Sequence, residues 1–92
     1  MDIHKLRIFV MIVRLGNFTR AAEMLHMTQP TVSQQIAALE SQIGAPLIER
    51  QTRHLRLTAA GEALLPYAEQ MLAIADAATD EAATAASVGI AA

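Results

Sequence analysis

The chain has 92 residues, which allows one small domain but not two, and its core must be aliphatic because only 3% of the residues are aromatic. It contains no cysteine, so disulfides, thiolate metal sites and a cysteine nucleophile are excluded. The net charge of −2 is unevenly distributed: residues 1–58 hold seven basic and four acidic residues (7 − 4 = +3), whereas residues 59–92 hold five acidic and no basic ones (−5). The sequence therefore predicts a basic body with an acidic arm that points away from phosphate.

Neither a signal peptide nor a membrane span is predicted. Met1 is followed by Asp2 rather than by a basic stretch, and the apolar run 8–13 is too short to cross a bilayer. We therefore expect a cytoplasmic protein with no membrane partner.

Two helices are predicted at the start of the chain. Over residues 3–14, apolar side chains recur at the i, i+3, i+4, i+7 spacing of an amphipathic helix, with Asp2 as a possible cap and Gly16 as its end. Asn17 is a good N-cap for a second helix from Phe18 to Leu25.

A third helix is predicted from about Gln29 to Gln42, after a short turn that contains His26. Thr28 can cap this helix, and Gly44 stops it. Its inward face is predicted to consist of Val32, Ile36, Leu39 and Ile43.

A short β-hairpin is predicted next. The alternation Leu55-Arg56-Leu57 is typical of a strand with one buried face, and Leu47-Ile48 would form its partner. The predicted fold is therefore mainly α, a winged helix-turn-helix of three helices plus a hairpin wing, over residues 1–57.

A long linker helix is predicted over residues 58–86, because residues 59–92 contain fourteen alanines and alanine is the best helix former. Residues 87–92 are expected to form a frayed tail. A near-heptad apolar seam and an adjacent stripe that includes Leu64, Met71, Ile74 and Ala78 predict that two such helices pair as a homodimer. The predicted dimerisation residues are Leu64, Leu65, Ala68, Met71, Leu72 and Ala75. The alternative is that the helix folds back on its own domain.

Residues 18–36 predict two helices that cross at a steep angle, with the small Ala22 at the crossing. His26 lies in the turn, where many helix-turn-helix units have glycine, and histidine tolerates positive φ better than most residues. The outward residues at the start of the third helix have side chains suited to base edges and phosphates, namely Gln29, Pro30, Thr31, Ser33 and Gln34. A solvated polar helix face is the alternative interpretation.

The hairpin adds three arginines, Arg50, Arg53 and Arg56. Arginine at the tip of a wing can enter a narrow minor groove, where the potential is most negative, and Arg53 is the best-placed candidate. Alternatively, Arg50 or Arg56 forms an ion pair with Glu49 or Glu40.

The chain resembles the LysR-type transcriptional regulators. The similarity rests on FTRAAEML at 18–25, TQPTVSQQIAALE at 28–40, IG at 43–44, PLIER at 46–50 and LTAAGE at 57–62. Two positions depart from the common pattern: Gln34, where many relatives have arginine, and Ile48, where phenylalanine is frequent.

The resemblance implies sequence-specific binding of double-stranded DNA by a bacterial regulator. Residues matching Gln29, Pro30, Ser33 and position 34 would meet the DNA, Thr31 would lie against its backbone, and Arg53 would enter the minor groove. It also implies dimers paired through the linker helix and tetramers of the full-length protein. A further effector-binding domain, absent from these 92 residues, would sense a small molecule.

Two other classes of function are alternatives. A winged helix that only mediates protein–protein dimerisation is the main rival, and the low overall charge favours it slightly. An enzyme is not expected, because His4, His26 and His54 lie on different predicted elements and no glycine-rich phosphate loop is present. We therefore predict no catalytic residues, metal site or cofactor.

Overall fold

The computed structural model describes residues 1–50 and 54–91, which form four helices and a two-stranded hairpin. In chain order these are α1 (Ile3–Leu15), α2 (Phe18–Met24), α3 (Gln29–Ile43), β1 (Ile48–Arg50), β2 (Leu55–Leu57) and α4 (Ala59–Ala91). The strands are antiparallel, with Ile48 opposite Leu57 and Arg50 opposite Leu55. The predicted fold class is confirmed.

The first three helices begin and end at the residues that the sequence indicates. The side chains of Asp2, Asn17 and Thr28 each accept a hydrogen bond from a backbone N–H in the first turn of the following helix. Gly16 and Gly44 close α1 and α3 in the left-handed conformation, with φ of 65° and 85°.

The turn between α2 and α3 confirms the expectation for His26, which has a φ of 56°. The backbone N–H of Met27 donates to the carbonyl of Ala22 at 2.9 Å, so the chain doubles back immediately after α2. The small side chains of Ala21 and Ala22 are buried and allow this close approach.

Helix α1 packs against α2, α3 and α4, and its apolar side chains form the centre of the core. The largest fully buried side chains are aliphatic apart from Phe9, as the composition requires. On α3, Val32, Ile36 and Leu39 are buried as predicted. Ile43 is exposed, contrary to the prediction, because it is the last residue of the helix.

Helix α4 differs from the prediction in its length. It continues to Ala91, so residues 87–91 are helical rather than frayed. No proline follows Pro66 to end the helix, and the alanines around Ser87 favour its continuation. Among the described residues, no helix has both the length and the apolar character needed to cross a membrane.

Two of the six residues predicted for dimerisation on α4 are not available for it in the single chain. Ala68 and Leu72 are buried in the core of their own domain, where α4 packs on α1. Two ion pairs join the same helices: Arg7 to Asp76 at 3.0 Å and Arg14 to Glu69 at 3.5 Å. The first half of α4 therefore does fold back on its own domain.

A group of hydrogen bonds between backbone groups and the side chains of Glu40 and Thr58 fixes the wing and α4 relative to α3. The carboxylate of Glu40 accepts from the N–H of Leu47 at 2.7 Å, and the carbonyl of Leu47 accepts from the N–H of Thr58 at 3.0 Å. The hydroxyl of Thr58 donates to the carbonyl of Pro46 and accepts from the N–H of Gly61. A change in the direction of α4 would therefore displace the backbone both before β1 and after β2.

Candidate nucleic-acid interface

The five α3 residues predicted to contact DNA lie together on the outer side of the first two turns of the helix. Pro30 and Gln34 are exposed, and Gln29, Thr31 and Ser33 are half-buried. Val32, between them in sequence, is fully buried and anchors this end of the helix to the core. The structure therefore brings these side chains to one accessible surface and seals none of them inside the domain.

Thr28 and Thr31 form a local cap at the start of α3. The Thr28 hydroxyl donates to the Thr31 oxygen at 2.8 Å and accepts from the Thr31 N–H at 3.3 Å. The Thr31 hydroxyl is therefore an acceptor within the cap, which leaves its own O–H available to donate to another group. An O–H donor at a helix start is suited to an anionic oxygen such as that of a phosphate.

Arg50 joins the wing to this surface rather than pairing with a carboxylate. Its Nη2 donates to Oγ of Ser33 at 2.6 Å, and its guanidinium carbon lies 3.9 Å from the centre of the Phe18 ring. Of the two carboxylates considered as partners, Glu40 instead accepts from backbone N–H groups at the start of β1, and Glu49 lies opposite Arg56 across the hairpin.

Two further arginines are exposed on the elements next to α3 in the chain and in the hairpin. Arg56 is exposed on β2, and Arg20 is exposed on α2. Arg53, the residue predicted for the minor groove, lies outside the described residues.

Ion pairing explains how the basic side chains are divided between structure and surface. Arg7 and Arg14 pair with carboxylates of α4, and Lys5 pairs with Asp2 at 3.1 Å. Asp2 also accepts from the backbone N–H of His4, and these two contacts hold the pKa of its carboxyl below the ordinary value. Three of the seven basic side chains are therefore engaged in ion pairs, and Arg20, Arg50 and Arg56 remain exposed with no carboxylate partner among the described residues.

Sequence reasoning did not identify two residues that position this interface. The buried Phe18 ring supports Arg50, and Glu40 ties α3 to β1. A weak signal existed for Glu40, since it comes just before the turn that Gly44 and Pro46 predict, where the chain must return past the helix end.

Comparison with protein families gives one match over most of the chain. Residues 3–62 match the family described as "Bacterial regulatory helix-turn-helix protein, lysR family". A curated relative, the HTH-type transcriptional regulator BudR of Klebsiella aerogenes, is 48% identical over 82 residues, which are 89% of this chain and 57% of BudR. This chain thus spans little more than half the length of that relative.

Solved structures give the same result. The one described as "Crystal Structure of BenM_DBD/catB site 1 DNA Complex" superposes with a TM-score of 0.89 at 36% identity, covering 95% of this chain and 98% of that one. The one described as "Crystal structure of CbnR_DBD-DNA complex" has a TM-score of 0.85 at 38% identity, covering 94% of this chain and 99% of that one. The winged helix-turn-helix architecture and its extension into a long helix are shared with both.

Proposed function

The chain belongs to the lysR family of bacterial regulatory helix-turn-helix proteins, and on that premise we propose that it binds specific double-stranded DNA sites as a homodimer and so regulates transcription. The observation that carries the proposal is the group of accessible side chains at the start of α3, which Arg50 joins to the wing through Ser33. The BenM and CbnR structures, described as DNA complexes, support it by their similarity over nearly the whole chain. Family membership also favours a regulator over an enzyme.

The start of α3 would enter the major groove. Gln29 and Gln34 carry amides that can pair with adenine through its N6 and N7, and the exposed ring of Pro30 can contact a thymine methyl. Thr31 has an O–H that is suited to a backbone phosphate, because its oxygen already accepts within the cap. Since Gln34 replaces the arginine of many relatives, adenine rather than guanine is expected at that step.

The wing would bind the adjacent minor groove through Arg53. This assignment rests on its position in the sequence between β1 and β2 and on the resemblance to the family. A guanidinium is attracted to a narrow minor groove because the negative potential is greatest there.

The homodimer would form through the outer stripe of α4, defined as Leu64, Tyr67, Met71, Ile74 and Ala78. These positions follow the alternating three- and four-residue spacing of a heptad, and they lie beside the residues that contact α1. Tyr67 and Ile74 are 65% and 69% exposed in the single chain. The predicted dimerisation residues Leu64 and Met71 belong to this stripe and are half-buried at the edge of the core, whereas Ala68 and Leu72 are buried within it.

A second copy is the occupant that the shape of α4 favours. Residues 76–89 are helical and exposed throughout, and a helix with no tertiary packing over this length is only marginally stable in water. Pairing along the outer stripe would bury its apolar side chains and stabilise it. The two-fold symmetry of such a pair predicts an interrupted palindrome, with half-sites one helical turn of DNA apart or a multiple of it.

Two finer expectations concern a longer protein. Binding of a small-molecule effector and assembly into tetramers are properties that the resemblance implies for chains with an additional domain. They are proposals for the full-length regulator and are not assigned to any of the 92 residues.

The test is selection of binding sites from a random DNA library with the purified 92-residue chain, followed by affinity measurements on the selected site. We expect an interrupted palindrome and an affinity that falls steeply with salt, because phosphate contacts release counterions. A protein–protein module would select no motif.

Gln29→Ala tests whether the start of α3 contacts the DNA bases. It should weaken the selected site by about 1–3 kcal/mol and relax one base position. Gln42→Ala is the control, since Gln42 is exposed at the opposite end of the same helix. Equal affinities for both variants would refute the assignment of the start of α3 to the major groove.

A further inference from the structure

Arg50 is held at two points by groups from two other elements. It ends β1, its Nη2 donates to Oγ of Ser33 on α3 at 2.6 Å, and its guanidinium lies 3.9 Å from the centre of the Phe18 ring at the start of α2. Phe18 is buried, so its ring forms a fixed platform for the guanidinium. One planar group thereby connects the wing, the recognition helix and the helix before it.

This contact determines the hydrogen-bonding role of Ser33. A serine hydroxyl has one donor and two acceptor sites, whereas arginine can only donate. The oxygen of Ser33 therefore accepts from Arg50, and its O–H remains to donate outward. The adjacent positive charge draws electron density from the oxygen, which makes the O–H a stronger donor and the oxygen a poorer acceptor for a second donor.

The geometry points to Arg50 as a positioning residue and not as a phosphate contact. It holds the Ser33 hydroxyl so that its O–H donates to an acceptor atom on a base edge. Acceptors of this kind in the major groove are N7 and O6 of guanine, N7 of adenine and O4 of thymine. This inference rests on the proposed DNA binding and deepens it, because it assigns one specificity-determining pair to two elements.

The test compares Arg50→Met, Ser33→Ala and the double variant in site selection and in affinity measurements over a series of salt concentrations. Arg50→Met and Ser33→Ala should relax the same base position and weaken binding by about two- to tenfold, the range of one hydrogen bond. In the Ser33→Ala background, Arg50→Met should have no more than about a twofold further effect, because the two residues act as a unit. The slope of log K against log salt should stay at the wild-type value.

Two further variants separate positioning from charge. Arg50→Lys keeps the charge but cannot stack its amine on Phe18 and also reach Ser33 in the same planar geometry, so it should bind like Arg50→Met. It also replaces Arg50→Met as the test variant if thermal unfolding shows that the latter is not folded. Arg56→Met is the matched control, since it removes the same charge from the neighbouring strand without touching Ser33. It should weaken binding and make the salt dependence shallower, but it should not relax the base position assigned to Ser33.

Three results would overturn the inference. The first is a slope of log K against log salt that becomes shallower by about one unit per subunit in Arg50→Met. The second is wild-type affinity and specificity of Arg50→Lys. The third is a loss of affinity in Arg50→Met that is equal for all sites, with no base position relaxed. Failure of the wild-type chain to select any DNA site would instead contradict the proposed function and remove the basis of this inference with it.

Discussion

Gly61→Ala is expected to destabilise the protein although alanine is the better helix former. A Cβ at position 61 would lie on the carbonyl oxygen of Leu47 and at 3.0 Å from a methyl carbon of Leu57. The Leu47 carbonyl cannot move away without loss of its bond from the N–H of Thr58. Overpacking costs about 1–3 kcal/mol and the lost bond about 1 kcal/mol, against about 1 kcal/mol gained in helix propensity. The net loss in unfolding free energy is about 2 kcal/mol.

Gly89→Ala provides the matched control, because it is the same substitution in the same helix. Nothing lies within 4 Å of a Cβ at position 89, so the variant should be as stable as wild type or more stable by up to about 1 kcal/mol. Thermal unfolding at one fixed protomer concentration measures both, and a loss of 2 kcal/mol corresponds to a fall in Tm of about 8–16 °C. If Gly61→Ala unfolded at or above the wild-type temperature, the close packing of α4 on Leu47 would be refuted.

Three further substitutions test the turn, the arm and the wing. His26→Gly should raise the unfolding free energy by about 0.5–1 kcal/mol, since glycine adopts positive φ at no steric cost, and a lower Tm would contradict the strain argument. Ile74→Glu should convert the proposed dimer to a monomer in sedimentation analysis, whereas Ala83→Glu, on the opposite side of α4, should not. Arg53→Ala should make the negative slope of log K against log salt shallower by about one unit per subunit, and an unchanged slope would exclude a contact of Arg53 with DNA.

The features that the sequence predicted best are those set by neighbouring residues. Asp2, Asn17 and Thr28 cap helices because a short polar side chain can reach a backbone N–H two or three residues away. Gly44 and His26 mark left-handed positions for an equally local reason. The outward face of α3 was also predictable, since the burial of every third or fourth residue leaves the others outside.

The features that the sequence did not predict depend on contacts between distant residues. Ala68 and Ile74 are both apolar positions on one alanine-rich helix, and periodicity alone does not indicate which of them contacts α1 and which remains exposed. The partner of Arg50 lies 17 residues away, and a charged residue in a hairpin gives no sign of it. The role of Gly61 likewise depends on Leu47, which lies 14 residues earlier, just before β1.

The arrangement of charge explains how a chain with net charge −2 can bind DNA, and it sets the expected salt dependence. Lys5, Arg7 and Arg14 are committed to ion pairs within the chain, and Arg50 is committed to Ser33. Arg20 and Arg56 have no ion pair among the described residues, and with the proposed minor-groove contact of Arg53 the count is three arginines per subunit for phosphates and the minor groove. At about 0.9 units per phosphate contact, a dimer should show a slope of log K against log salt of about −5. A slope near −13 would require all fourteen cations of the proposed dimer and would mean that the ion pairs of Lys5, Arg7 and Arg14 break on binding.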